Sequence, residues 1–280
     1  MPVPTLSYAS PADSAPRTLL IRFVEWLTGR PSLERRYAAA RRRDQGSTWA
    51  AALEELQVSL TVAPPAYRER IPRRRSLIVI ANHPYGVLDG IAICRLLSST
   101  RPDFRVLVNR VLCRDQEGAD HFLPVDFSSS SSAQRENIRS IRRALKHVDA
   151  GGALVLFPAG GVATSPTLFG SAEDLPWKPL LGTLVQRTEA SVLPVYFEGQ
   201  NSRLFQVASH VNQTLRLSLL LREQLRKEGH TLEVSVGRPI SSEDLDSFES
   251  RRAIVDRLRE KTMSLASTQA FQTRTECASL

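Results

Sequence analysis

Ser76-Leu77-Ile78-Val79-Ile80-Ala81-Asn82-His83-Pro84-Tyr85-Gly86-Val87-Leu88-Asp89-Gly90 decides how this chain is read. A short unbroken apolar run bounded by turn residues marks a strand buried on both faces, so 76–81 is expected as such a strand. Pro84 and Gly86 break the run, and a helix is expected over 88–97. Between the two elements a histidine and a carboxylate lie six positions apart, beside two glycines. Neutral imidazole takes a proton from an alcohol near neutral pH. A fixed carboxylate sets its tautomer and stabilises the imidazolium that forms. His83 and Asp89 are therefore the candidate catalytic pair. Each also has a plainer reading: His83 as a structural histidine, and Asp89 as the N-cap of the helix that follows.

Outward from this stretch the strand-then-helix pattern repeats. Strands are expected at 57–63, 104–108, 153–157, 191–197 and 231–236. Helices are expected at 133–148, with Ile138, Ile141, Leu145 and Val148 on one face, and at 178–187. A single long helix is expected at 204–227, with Leu204, Ala208, Val211 and Leu215 inward, and a last one at 248–265. Alternating elements imply an α/β fold with a mostly parallel central sheet flanked by helices. Ser128 to Ser132 reads as a flexible loop. Ligands of such sheets sit at the carboxyl ends of strands. Three segments lie there: His83, Ala159 to Gly161, and Glu198 to Asn201.

The N-terminal part reads differently. Residues 1–16 are rich in Pro, Ser and Ala and are expected to be mobile. Residues 17–56 form a helical segment, with helices at 18–28, 32–43 and 48–56. In the first, Thr18, Arg22, Glu25 and Thr28 make a narrow polar stripe and the rest is apolar, a face suited to a core or a membrane interface. Residues 57–265 make the α/β domain, and 266–280 a polar tail.

Composition bounds the function. The 280 residues are 42% hydrophobic, enough for a sizeable core, with no run of 18 apolar residues to cross a membrane. The first fifteen residues hold no Lys or Arg, so no secretory leader is expected. Cys94, Cys113 and Cys277 are odd in number and widely spaced, as reduced thiols are. The net charge is +8, and 13 arginines crowd the stretch from Arg17 to Arg75. That charge suits an anionic membrane surface, an acidic carrier protein or a nucleic acid. Aromatics at 6% and the lack of a nucleic-acid motif argue against the last.

A second candidate is Phe157-Pro158-Ala159-Gly160-Gly161, whose glycines expose backbone N–H groups to an oxyanion or phosphate. An ordinary tight turn is the alternative. No Gly-Lys-Ser/Thr follows, which excludes a nucleotide P-loop, and no Gly-x-Ser-x-Gly elbow exists. His121, His147, His210 and His230 show no metal-ligand spacing.

Four segments in order carry a resemblance: Asn82 to Gly90, then Leu123-Pro124-Val125-Asp126, then Phe157 to Gly161, then Val192-Leu193-Pro194-Val195. They resemble the four blocks of the glycerolipid (lysophospholipid) acyltransferase superfamily, on the side of its hemolysin-like and ornithine-lipid acyltransferase branch. The segment from Phe197 to Phe205 looks like that branch too. The resemblance implies that His83 deprotonates an acceptor hydroxyl while Asp89 orients it. The freed oxygen then attacks the thioester of an acyl-CoA or acyl-carrier protein, with no cofactor and no metal. Asn82, Gly86, Phe157, Pro158, Ala159, Gly160, Gly161 and Asn201 become the expected substrate-binding residues. The implied partners are a lysolipid acceptor, the acyl donor and an anionic membrane, with no nucleic acid. The implied location is the cytoplasmic face of the inner membrane, peripheral or monotopic.

The chain departs from the family pattern in three places. Five residues instead of four separate His83 from Asp89, so Gly86 must absorb one. Ala159 stands where block three usually has Glu, and Phe127 where block two usually has Arg. Both usual residues help hold a glycerol-phosphate acceptor, so a zwitterionic or amino-acid acceptor such as a lyso-ornithine lipid is expected instead. A non-catalytic lipid-binding protein on the same fold is the alternative.

Overall fold

The computed structural model describes residues 48–113, 120–128, 130–168, 170–211, 213–246, 248 and 250–266, with 18, 19, 29, 31, 32, 35 and 36. The expectations for 1–16 and 267–280, and nearly all of those for helices 18–28 and 32–43, fall outside these residues.

Strand β2 (Leu77–Ala81) is buried at every position and lies at the centre of a seven-stranded sheet. Its alternate side chains go to opposite faces. Leu77, Val79 and Ala81 pack with helix α1 (Thr48–Glu55) and helix α2 (Val87–Ser98). Ile78 and Ile80 pack with helix α3 (Ser131–Asp149), helix α4 (Leu180–Arg187) and helix α8 (Arg251–Met263). Two-sided burial is why this strand is a continuous apolar run instead of an alternating one.

The other strands are β1 (Ser59–Ala63), β3 (Arg105–Asn109), β4 (Phe122–Val125), β5 (Ala153–Leu156), β6 (Ser191–Phe197) and β7 (Thr231–Val236). The sheet order is β1-β7-β6-β2-β5-β3-β4. Strands β4, β3, β5, β2 and β6 are parallel. β7 runs antiparallel to β6, and β1 runs parallel to β7. The chain leaves β2 toward one side of the sheet through β3 and β4, returns to β5, and crosses to β6 on the other side. The carboxyl end of β2 is thus a switch point, where open α/β sheets take their ligands.

Four local expectations need correction. β4 is not among the expected strands; it is the edge strand of the sheet, where the missing N–H of Pro124 is tolerated. Serines 128–132 are not simply a loop: Ser131 and Ser132 open α3, and Ser130 Oγ caps it by accepting the Ala133 N–H at 3.1 Å. Within α3, Ile138 is half exposed, and the buried face is Ala133, Ser140, Ala144 and Val148. The expected long helix is two, α5 (Arg203–Val211) and α6 (Gln213–Arg226), and Leu204 and Val211 are exposed instead of inward. Phe205 and Ala208 are the residues packed inside, against Val162, Leu219 and Leu220. The remaining helix, α7 (Ser242–Asp246), precedes α8, which starts after its own cap, Ser250.

Candidate active site

The residues after β2, β5 and β6 come together because the strands are in register. Ile80 pairs with Leu156 on one side and Pro194 on the other. His83 and Phe157 thus leave neighbouring strand ends, and their rings stack with centroids 4.1 Å apart at 26°. Asn82 clamps the third strand: its Nδ2 donates to Phe197 O (2.8 Å) and its Oδ1 accepts the Phe197 N–H (2.7 Å). This amide was expected to bind substrate; its contacts hold β2 to β6.

His83 and Asp89 meet, with Nδ1 and Oδ2 3.0 Å apart. The extra residue between them is taken up at Gly86, whose φ of +89° lies in the left-handed region. A Cβ there would also stand 3.2 Å from Val162 Cγ2. Asp89 is not the N-cap of α2 but sits in its first turn. Its Oδ2 accepts three hydrogen bonds, from His83 Nδ1–H and from the backbone N–H groups of Tyr85 and Gly86, both at 2.9 Å. An oxygen holding two amide donors is an acceptor, so Nδ1 carries the proton of the pair and Nε2 keeps its lone pair. Asp89 is fully buried, whereas the His83 side chain keeps 17% of its exposure.

Residues far away in sequence hold this turn. Asp174 Oδ1 accepts the His83 backbone N–H (2.9 Å) and Oδ2 accepts Trp177 Nε1–H (2.9 Å). Burial pushes the Asp174 carboxyl above its usual range, against the opposite pull of those two bonds. Gln224 of α6 donates to Tyr85 O (2.8 Å) and accepts the Leu88 N–H (3.1 Å). Tyr85 donates its hydroxyl to Glu198 O (2.6 Å), and burial with the Asp89 carboxylate nearby pushes that phenol up. Neither Asp174 nor Gln224 was legible in the sequence, since no local pattern links residue 83 to 174 or 85 to 224.

The 157–161 turn divides the expected roles. Gly160 (φ +67°) donates its N–H to Phe157 O at 2.9 Å, so that N–H serves the turn and not a ligand. The Gly161 N–H has no hydrogen-bond partner among the described residues. Pro158 O accepts the Lys178 N–H (2.9 Å), and the Ala159 methyl is packed into the core beside Trp177. Asn201 is buried, and neither polar atom of its amide has a hydrogen-bond partner among the described residues. The block-four residues Val192 to Val195 lie inside β6 and are buried, a packing role. Among the described residues no group of His, Cys, Asp or Glu could hold a metal ion, and no helix is long and apolar enough to cross a membrane.

The structure is thus a switch-point α/β fold with a carboxylate-paired histidine just past the end of its central strand, a geometry suited to general-base chemistry. The acyltransferase family profile matches residues 60–270, and the chain belongs to that family. It is 29% identical over 193 residues to a lyso-glycine lipid O-acyltransferase of Phocaeicola vulgatus, covering 65% of each chain. It is 26% identical over 189 residues to a lyso-glycine lipid O-acyltransferase of Bacteroides thetaiotaomicron, covering 65% of this chain and 67% of that one. The chain thus spans about two thirds of the length of these curated relatives. The crystal structure of the 1-acyl-sn-glycerophosphate acyltransferase PlsC from Thermotoga maritima superposes with a TM-score of 0.49 at 16% identity, over 90% of this chain and 88% of that one.

Proposed function

We propose that this protein is an O-acyltransferase that moves a fatty acyl group onto the hydroxyl of a lysolipid. The observation that carries the proposal is the 3.0 Å contact between His83 Nδ1 and Asp89 Oδ2, with the imidazole partly exposed at the carboxyl edge of the sheet. With Nδ1–H donated to Asp89, Nε2 is the basic nitrogen. It takes the proton of the acceptor hydroxyl as the oxygen attacks the carbonyl carbon of an acyl thioester. The C–O bond forms, charge develops on the carbonyl oxygen, and the C–S bond then breaks. The imidazolium returns its proton to the departing thiolate, so the enzyme ends unchanged. Asp89 stabilises the imidazolium in between. The free Gly161 N–H is the donor available to the developing oxyanion.

The acceptor is an amino-acid lysolipid, a reading supported by the named activity of the two curated relatives. The loss of the usual Glu and Arg at Ala159 and Phe127 favours it over a glycerol phosphate. The donor is an acyl-CoA or an acyl-carrier protein, and the +8 charge suits work at an anionic membrane on its cytoplasmic face.

The test is transfer from palmitoyl-CoA and from palmitoyl-carrier protein to an N-(3-hydroxyacyl) amino acid, followed by mass spectrometry. His83→Ala is expected to lower kcat by about 10²–10⁴-fold. Unchanged transfer by that variant overturns the catalytic assignment and leaves lipid binding alone.

A further inference from the structure

We propose that Lys178, laid across the Gly160 turn and held on the Phe127 ring, anchors the anionic head group of the acceptor and so selects the acceptor class. This rests on the acyltransferase reading of the site and names the residue that would recognise its lysolipid.

Four observations lead there. First, the Lys178 backbone N–H donates to Pro158 O at 2.9 Å, which ties the residue to the turn beginning with the ring stacked on His83. Second, its side chain crosses that turn. A Cβ on Gly160 would stand 2.6 Å from Nζ, 2.8 Å from Cε and 3.3 Å from Cδ, so only glycine lets the lysine lie there. Third, Nζ sits 4.6 Å from the centroid of the exposed Phe127 ring, just past the end of β4. The ring face attracts a cation and orients it. Fourth, this ammonium has no ion-pair partner among the described residues, whereas its neighbours are engaged. Arg110 pairs with Asp126 and Glu136, and Arg216 donates to Val162 O.

These contacts follow the carboxyl edge of the sheet. His83 stands at the end of β2, Phe157 and Gly160 at the end of β5, and Phe127 past the end of β4. A lysolipid with its hydroxyl at His83 and its head group directed toward β4 meets an exposed, unpaired point charge with three donors. A carboxylate and a phosphate are both suited to it.

Equilibrium binding to the full-length protein, below the micelle concentration, tests this with two matched pairs: N-(3-hydroxypalmitoyl)glycine against its methyl ester, and oleoyl-lysophosphatidic acid against monooleoylglycerol. Wild type is expected to prefer one acid over its neutral partner by about 10- to 100-fold, and the pair with the larger ratio names the head group. Lys178→Gln should bring that ratio near unity by weakening only the acid. Lys178→Arg should keep most of it. Equal affinity of Lys178→Gln and wild type for the acid, or no acid preference in wild type, overturns the proposal. Because Lys178 is exposed, its variants should melt as wild type does, which separates lost binding from lost folding. Acyl transfer by wild type with an acceptor KM untouched in Lys178→Gln sinks the anchor and leaves the catalytic reading standing. Lys178-dependent acid binding without transfer from either donor does the reverse.

Discussion

Asp89 does three tasks with one oxygen. It takes the N–H groups of Tyr85 and Gly86 and the imidazole of His83, and it is fully buried. The two amide donors fix the carboxylate before any substrate arrives, and the fixed carboxylate fixes the ring. Asn at 89 keeps the size but removes the charge that the imidazolium needs. Asp89→Asn is therefore expected to lower kcat by about 10²–10⁴-fold while the acceptor KM changes little, which steady-state kinetics would read. Gly86 belongs to the same unit. Its left-handed φ turns the chain so that five intervening residues still let His83 and Asp89 touch. This pair was legible because both partners lie on one strand–turn–helix segment. Asp174 was not, since it reaches His83 from 91 positions away, through a loop with no periodic signal.

At the scale of elements, apolar pattern and packing do not always agree. Helix α5 carries apolar residues on two faces, Phe205 with Ala208 and Leu204 with Val211. The pattern favours the stripe of Leu204, Ala208 and Val211, of which only Ala208 is buried. Contact with Val162, Leu219 and Leu220 puts the first pair inside. Helix α3 shows the converse, where a local signal was present but read as a loop. Ser130 is a side-chain cap at the end of a serine run. Ser130→Ala should lower stability by about 1 kcal/mol, measured by urea unfolding, with transfer activity retained. No change in the unfolding midpoint would mean that a neighbouring serine takes over the cap.

At the scale of the whole molecule, the site lies at one end of the sheet and a buried arginine ties the other. Arg101, 1% exposed, donates to the carbonyl oxygens of Pro72, Arg75 and Gly151 and forms two bonds to Asp103. It joins the entry of β2 to the entry of β5, the two strands whose far ends carry His83 and Phe157. Arg101→Met leaves these acceptors without their donor and is expected to cost about 1–3 kcal/mol for each carbonyl left buried and unpaired, read by urea unfolding. The Arg101 guanidinium holds the Asp103 carboxyl below its usual range. Since the folded value is the lower one, this stabilisation is complete above about pH 4 and lost as pH falls through the folded value. Arg101→Met should remove that part of the acid loss. The effect is small, because the Asp103 carboxylate is 44% exposed and screened by water.

What the sequence determined by itself was local: the buried central strand, the alternation of strands and helices, the His83–Asp89 pair and the glycine turn after β5. Each is encoded in a few adjacent residues whose periodicity or backbone freedom is a property of the segment alone. Tertiary structure decided the rest. Strand register placed Phe157 on His83, helix packing chose the inner face of α5, and the 164–178 loop brought Asp174 under His83 and Lys178 across Gly160. These depend on which distant surfaces meet, and burial and hydrogen bonding between them are set only when the sheet has closed.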